Sequence, residues 1–501
     1  MPADDLSHVA IALNRFGLGA RPGDAISGDP RQFLKQQFDR FDPAPSAFMQ
    51  LADAGALLKN YEAEQRAMRQ AVRAQLPASQ SPVSQSPASL APTPAPALAA
   101  GSAAPGMTGR TPDQQAARKA FTQDARGLYR QAAQARMESA LFTEAPFVER
   151  LVHFWSNHFC VSADDPKITA LSGTFERDAI RPHVLGRFED MLFAVEQHPA
   201  MLIYLGQSQS IGPESPAAQR AAQRNGKLRG LNENLAREIM ELHTLGARSG
   251  YSQSDVTEFA RALTGWTTDG SDQPGIEAQG DSIGFLFRPQ THEPGARTIL
   301  GKTYAQPGVN QARAALSDFA RAPQTATHIA TKLARHFAGD IPPPALVERL
   351  AATFSRSNGD LKALYVTLID SSEAWALQPV KFKTPWEWTV SALRGLGRTD
   401  LVQLKVEDIQ QKLGQPIWRP GSPAGWDDIA ASWAASDALM RRVEVAQRFA
   451  AQAAGTIDAR ALAPKLLPSA LSSDTASQIG RAESPEVALA LLLVSPDFLR
   501  R

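Results

Sequence analysis

Residues 231–246 read LNENLAREIMELHTLG. Placed at about 100° per residue, Leu235, Ala236, Ile239, Leu242 and His243 fall on one side of a helix. Glu233, Asn234, Arg237, Glu238 and Glu241 fall on the other. Glu233–Arg237 and Arg237–Glu241 are four residues apart, the separation at which opposite charges meet along a helix. The stretch reads as an amphipathic helix with one apolar stripe.

The same spacing recurs outward in both directions. It is readable over 6–16, 30–40, 113–145, 146–160, 175–204, 253–264, 308–320, 325–338, 344–355, 360–371, 384–395, 406–413, 429–454 and 484–493. Residues 46–75 are rich in Ala, Leu, Glu, Gln and Arg, all good helix formers. Two interruptions stand out. Residues 77–112 hold eight prolines and no aromatic, a composition that cannot bury enough apolar surface to offset its ordering entropy, so a disordered insertion is expected there. Residues 283–304, IGFLFRPQTHEPGARTILGKTY, set two short β-prone runs around a Gly/Pro-bearing turn, which predicts one short β-hairpin. The fold class is therefore mainly α: a multi-helical globular fold with one hairpin. Residues 1–76 form an N-terminal helical part expected to join 113–501 in one domain. No fixed-period repeat indicates a solenoid.

Composition narrows the function classes. The chain carries 52 basic and 51 acidic residues, a balance that leaves no electrostatic footprint for nucleic acid or an anionic membrane. No run approaches the roughly 20 apolar residues of a membrane span. The first residues, MPADDLSHVAIALNRFG, contain no basic region followed by an apolar stretch, so a cytoplasmic location is the default reading. A single cysteine, Cys160, rules out an internal disulfide framework and a Cys-based zinc or haem motif.

Four segments could carry chemistry. ERLVHFWSNHFCVS (149–162) places His153 and Asn157 on one helical face and Phe154 and His158 on another. The two histidines, five apart, diverge by about 140° and cannot ligate one metal from a regular helix. The stretch is either an aromatic core helix or one that sends Asn157 and His158 into a cleft. In 231–246 the run Glu238-x-x-Glu241 with His243 two further on matches a di-iron Glu-x-x-His pattern poorly. His243 on the apolar flank has the position of a satisfied core histidine. THEPGARTILGK (291–302) puts His292 and Glu293 at a turn tip, where a polar turn is the plain reading. Trp386, Trp388, Trp418 and Trp426 lie near Lys381, Lys383, Arg394 and Arg419, as a stacking surface or as packing anchors. No Gly-x-Gly-x-x-Gly, Walker loop, His-Glu-x-x-His or Gly-x-Ser-x-Gly occurs.

Taken in order, NRFGLGARPGD, FWSNHF, NENLAREIMELHTLG, GYSQSDV, THEPGARTILG and GQPIWRPGSPAGW resemble the bacterial domain of unknown function 1800 (DUF1800) family over nearly the whole chain apart from 77–112. The resemblance implies a mainly helical protein and no established activity. It implies as its polar signature Asn157, His158, Arg177, Arg181, Arg237, Glu238, Glu241, His243, Trp266, His292 and Trp426. Glu293 stands where the family usually has aspartate, and His336 where an aromatic is expected, so His336 is read as structural. The family's gene neighbourhood implies a partner, an exported phosphatase- or sulfatase-like protein of the domain of unknown function 1501 family, and with it the periplasmic side.

Two functions follow as expectations. In the first the chain is an enzyme, with His158, Glu238, His243, His292 and Arg237 converging as catalytic groups in an interior pocket. Asn157, Arg177, Arg181, Trp266 and Trp426 then bind a small substrate, and metal and cofactor are unassigned. In the second it is a non-catalytic partner or maturation factor of that phosphatase-like neighbour. The first further expects helix 231–247 to be enclosed on both sides, with Arg237 paired to a carboxylate and Glu238 facing the segment of His158.

Overall fold

In the computed structural model, residues 3–61, 63, 112–224, 226, 230–268, 284–378, 381–401, 404–453 and 455–501 are described. The chain runs through helix after helix, and the insertion expected at 77–112 lies outside the described residues except for Pro112, which opens helix Pro112–Phe142. Proline, which ordinarily argues against helix, here starts it. Pro30, Pro146, Pro166, Pro199, Pro216, Pro323, Pro385, Pro485 and Pro496 all stand in the first turn of a helix. At that position the missing N–H has no intrahelical partner to lose and the fixed φ is already helical. Asp29, Asp165, Ser215, Ser484 and Ser495 cap the helices that follow them. Ser252/Asp255 and Thr384/Glu387 form reciprocal capping boxes.

The stretch expected as one long helix over 175–204 is broken into four pieces, Glu176–Ile180, Arg181–His183, Phe188–Glu196 and Pro199–Tyr204. Pro182, Gly186 and Pro199 interrupt it, each stopping or restarting the ladder. Short helices at Pro216–Gln223, Ala459–Leu466 and Ser473–Gly480 were not readable from spacing, each being only eight residues long. Three π-helical turns, Ile11–Phe16, Glu176–Ile180 and Ile239–His243, add a residue to a helix where polar side chains enter the interior.

Strand occurs within 283–304 as expected, but as parts of two small antiparallel sheets, one of which takes in Trp266–Thr268. Arg297–Ile299 pairs with Lys302–Tyr304 as the hairpin. The earlier run, Phe285–Phe287, turns instead to Trp266–Thr268. The hairpin turn is Leu300-Gly301, both at positive φ (52° and 75°), which matches the right-handed strand twist. Leu300 is held in that unusual conformation by its N–H donating to Asp255 Oδ1 at 2.7 Å.

One apolar core runs through the described residues. At its centre Phe16, Phe147 and Phe337 stack with centroids 5.4–5.8 Å apart, and Trp155 Nε1 donates to Tyr365 Oη at 2.6 Å. The first segment is sewn into the rest: Asn14 Nδ2 donates to Leu466 O at 3.1 Å and Arg15 Nη1 to Ala374 O at 2.9 Å. No helix of the described residues is long and apolar enough to cross a membrane.

Charges thread this core in pairs. Arg181 meets both oxygens of Glu149 at 2.8 Å with both side chains buried. Arg136 pairs with Glu176 at 3.0 Å, Arg150 with Glu387, and Lys381 with Asp340 and Asp428 at 2.9 and 3.1 Å. Removing one partner of such a pair strands the other charge. Glu149→Gln is therefore expected to destabilise the chain by about 3–5 kcal/mol in urea denaturation. A loss below about 1 kcal/mol, the value of an exposed pair, would show that Arg181 is rehydrated instead.

Candidate functional site

Two helices with polar stripes face each other across a cleft of about 520 Å³. In helix Pro146–His158, Val148, Leu151, Val152 and Trp155 are buried in the core. Arg150, His153, Phe154 and Asn157, at spacing i, i+3, i+4, i+7, line the cleft. In helix Pro323–Ala338, Ile329, Ala330, Leu333, Ala334 and Phe337 are buried, while His328, Thr331, Lys332, Arg335 and His336 show the same spacing on the cleft side. One face of each helix thus closes the core and the other opens a polar chamber within it.

Tryptophans form the walls. Trp386 and Trp418 are buried, and the Arg136 guanidinium lies over both rings at 4.6 and 5.2 Å, a cation–π arrangement strengthened by desolvation. Trp418 Nε1 and Ser156 Oγ both donate to Glu176 Oε2, at 3.0 and 2.9 Å. Trp386 Nε1 donates to His153 Nδ1 at 3.2 Å. His153 is held well below the usual histidine range by burial and by Arg136, Arg181 and Arg150.

The segment 415–428 closes one side as a loop fastened to Asn157. Asn157 Nδ2 donates to Trp426 O at 2.9 Å, and its Oδ1 accepts from Trp426 N–H at 2.8 Å. Gly425 lies so close that a Cβ there would stand 2.4 Å from Asn157 O, and its φ is +80°. Beyond the loop, Asp428 accepts from His336 Nδ1 at 2.8 Å and pairs with Lys381.

Behind the cleft stands a group of imidazoles. His158 and His328 have ring centroids 6.0 Å apart, and His158 and His243 are 6.3 Å apart. His158 Nε2 lies 3.1 Å from His243 O, and His328 Nε2 lies 2.9 Å from Leu242 O. A carbonyl only accepts, so both nitrogens carry the proton. His243 Nδ1 meets Glu196 Oε1 at 2.7 Å with both groups fully buried. Burial holds His158 well below its usual range and brings His328 to about 4. The approach is tight at Gly246, where a Cβ would come within 3.0 Å of His328 Nδ1. No set of three or more His, Cys, Asp or Glu among the described residues is placed to hold a metal.

The residues singled out from the sequence divide accordingly. Asn157 and Trp426 line the cleft. His158 and His243 come together directly behind it. Glu238 is half-buried, and burial pushes its carboxyl up. Its helix is not enclosed on both sides, because the polar face looks outward: Arg237 pairs with Glu233 at 3.1 Å with 38% of its side chain exposed. His292 accepts no role at the cleft; it contacts Thr264 O at 2.8 Å and stands edge-on to Phe287. Arg181 is occupied by Glu149. Arg177 pairs with Asp178 beside a separate groove. Trp266 is buried in its sheet, edge-on to Phe285.

Spacing alone did not reveal Lys332, Arg335, His328, Arg136 or Arg150. The stripe in HIATKLARHF has the signature of an ordinary solvated helix face, and nothing local says that a second helix lies over it. His336, read as structural, lines the cleft.

A family model described as "Protein of unknown function (DUF1800)" matches residues 11–500. No curated protein and no solved structure matches the chain.

Two outcomes test this geometry. Gly425→Ala forces a side chain into left-handed backbone against Asn157, and is expected to lower stability by about 1–3 kcal/mol. An unchanged denaturation midpoint would mean the loop is not fastened there. The second concerns acid. His328 takes its proton near 6.5 in the unfolded chain and only near 4 when folded, so between those values the unfolded state binds more protons. Stability is then full above about 6.5 and falls as pH drops toward 4. His328→Gln should remove up to about 1.4 kcal/mol per pH unit of that slope. Urea titrations from pH 4.5 to 7.5 read it, and an identical slope in the variant refutes the assignment.

Proposed function

The chain belongs to the DUF1800 family, and we propose that it is an enzyme that takes a small organic anion into the cleft between helices Pro146–His158 and Pro323–Ala338. One observation carries this reading. The interior pairs of Arg136, Arg150, Arg181 and Lys381 each meet a carboxylate. Lys332 and Arg335 face the cleft and have neither an ion pair nor a hydrogen bond to the described residues. An uncompensated interior cation costs several kcal/mol, and in an apolar-walled chamber a bound anion is the natural compensation.

The lining supports the same reading. A cleft of 520 Å³ falls within the range of small-molecule sites, about 300–1,000 Å³. Trp386, Trp418 and Trp426 offer flat apolar walls for the uncharged part of the ligand. Asn157 acts here by holding the Trp426 loop, and His158 and His243 by fixing the floor behind His328. Glu238, Arg237, His292, Arg177, Arg181 and Trp266 have no part in the cleft under this reading. The alternative, a non-catalytic partner of a phosphatase-like protein, leaves the two unpaired cations without a purpose.

Thermal-shift and calorimetric titration with aryl carboxylates, sulfonates and phosphates, set against the matching amides, tests the reading. Acids should stabilise the protein and amides should not. Arg335→Met should weaken acid binding by about 10–100-fold, the value of a charged hydrogen bond. If no acid binds, or if Lys332→Met/Arg335→Met binds as well as the parent chain, the proposal is wrong.

A further inference from the structure

We propose that Lys332 is a nucleophilic amine that condenses with the carbonyl carbon of an oxo acid, whose carboxylate is held one helical turn away by Arg335. The inference rests on the anion-binding reading above and adds the substrate class and the bond formed. Lys332 and Arg335 lie three apart on helix Pro323–Ala338, so their Cβ atoms are about 5–6 Å apart and their side chains leave the helix side by side. A 2- or 3-oxo acid separates its carbonyl carbon from its carboxylate by one or two bonds, which suits two neighbouring side chains reaching into one chamber.

The amine's surroundings distinguish it from the other interior lysines. Lys381 is engaged by Asp340 and Asp428, and Lys383 donates to Ser391 Oγ at 2.9 Å with its ammonium over the Phe498 ring. Lys332 has no such partner. The cleft carries charged and titratable groups on every side, among them Arg136, Arg150, His153, Glu241, Glu387 and Asp427. Its own helix presents His328, Arg335 and His336, helix Pro146–His158 presents His158, and the following residues present Cys160. The closing loop presents Asp428, which is already held by His336 and Lys381. Burial is the main influence on the amine and brings it down to about 8, with Arg335 acting in the same direction. A lysine beside a second cation in a desolvated site is the recognised setting for imine formation, because a useful fraction of the amine is uncharged near neutral pH. The Cys160 thiol does not compete as nucleophile: burial pushes it up to about 12 and its Sγ is turned toward Ser422 O and Pro423 O.

The step balances without a co-reactant. The nitrogen lone pair adds to the carbonyl carbon, and the carbonyl π pair moves to oxygen to give a carbinolamine. The C–O bond then breaks, and the oxygen departs as water with the two amine hydrogens, leaving a C=N bond between substrate and Nζ. Nothing is oxidised or reduced. Phe154, Trp386, Trp418 and Trp426 supply the apolar surface against which the substrate's uncharged part would lie.

Reductive trapping tests the step. The full chain is incubated with phenylpyruvate and sodium cyanoborohydride, and the adduct is located by peptide mass spectrometry. One adduct per chain is expected, on Lys332, with labelling rising as pH passes about 8. Phenylacetone, which carries a methyl group in place of the carboxylate, should label at least about 10-fold less, and Arg335→Met should erase that difference. Lys332→Arg, which keeps the charge, should take no label. Label scattered over surface lysines, or Lys332→Arg labelled like the parent, overturns the inference. If phenylpyruvate stabilises the protein in thermal shift but is never trapped, the imine falls while the anion-binding reading stands. If it neither stabilises nor traps, and the other acids also fail, both fall.

Discussion

Glu149 is fully buried and takes both arms of the Arg181 guanidinium at 2.8 Å, while Ser139 Oγ donates to it at 3.1 Å. Through that one carboxylate, helices Pro112–Phe142 and Pro146–His158 and the turn at Arg181 are tied at a single point. The cleft depends on this joint. Helix Pro146–His158 can turn Arg150, His153 and Asn157 toward the chamber because its opposite side is locked against the core. An ion pair of this kind adds little net stability over a well-packed apolar pair, but it punishes any arrangement that separates its members. Its effect is on which packing is adopted more than on how stable that packing is.

The same rule makes the cleft legible as a site. Charges inside a protein come with partners, and in this chain they form a set: Arg136 with Glu176, Arg150 with Glu387, His336 and Lys381 with Asp428. Lys383, Arg15 and Arg442 are held instead by a hydroxyl or by backbone carbonyls, whereas Lys332 and Arg335 have no ion pair or side-chain hydrogen bond among the described residues. Natural sequences break local rules chiefly where function requires it, and here the break falls where aromatic walls and a glycine-hinged loop also meet. Behind it His158 and His328 each donate to a fixed carbonyl and His243 meets the Glu196 carboxylate, so these rings hold shape.

How much could be read beforehand follows from the range of each interaction. Helix positions were readable because a 3.6-residue period and helix-forming composition are local. The hairpin region was readable for the same reason, yet the partner of Phe285–Phe287 was not, since pairing with Trp266–Thr268 joins residues about twenty positions apart. Among the site residues, Asn157 and Trp426 could be named from the two segments that carry the family resemblance. His292 and Arg237 come from equally specific segments but have their own partners elsewhere. A segment can be distinctive because it shapes a turn or a surface ion pair, so distinctiveness alone does not place a residue in a cleft.

By itself the sequence determined a mainly helical chain, strand within 283–304, an uncommitted overall charge and the family to which the chain belongs. Only the tertiary structure decided that the polar stripe of helix Pro323–Ala338 faces inward. Periodicity reports which residues share a face and says nothing of what lies opposite that face. A stripe of His328, Lys332, Arg335 and His336 is an ordinary solvated surface until helix Pro146–His158 and the loop at 415–428 cover it. Covering it leaves those side chains only partly exposed, where water screens their charges less. A lysine and an arginine of no local distinction thereby become the unpaired cations of a half-covered cleft.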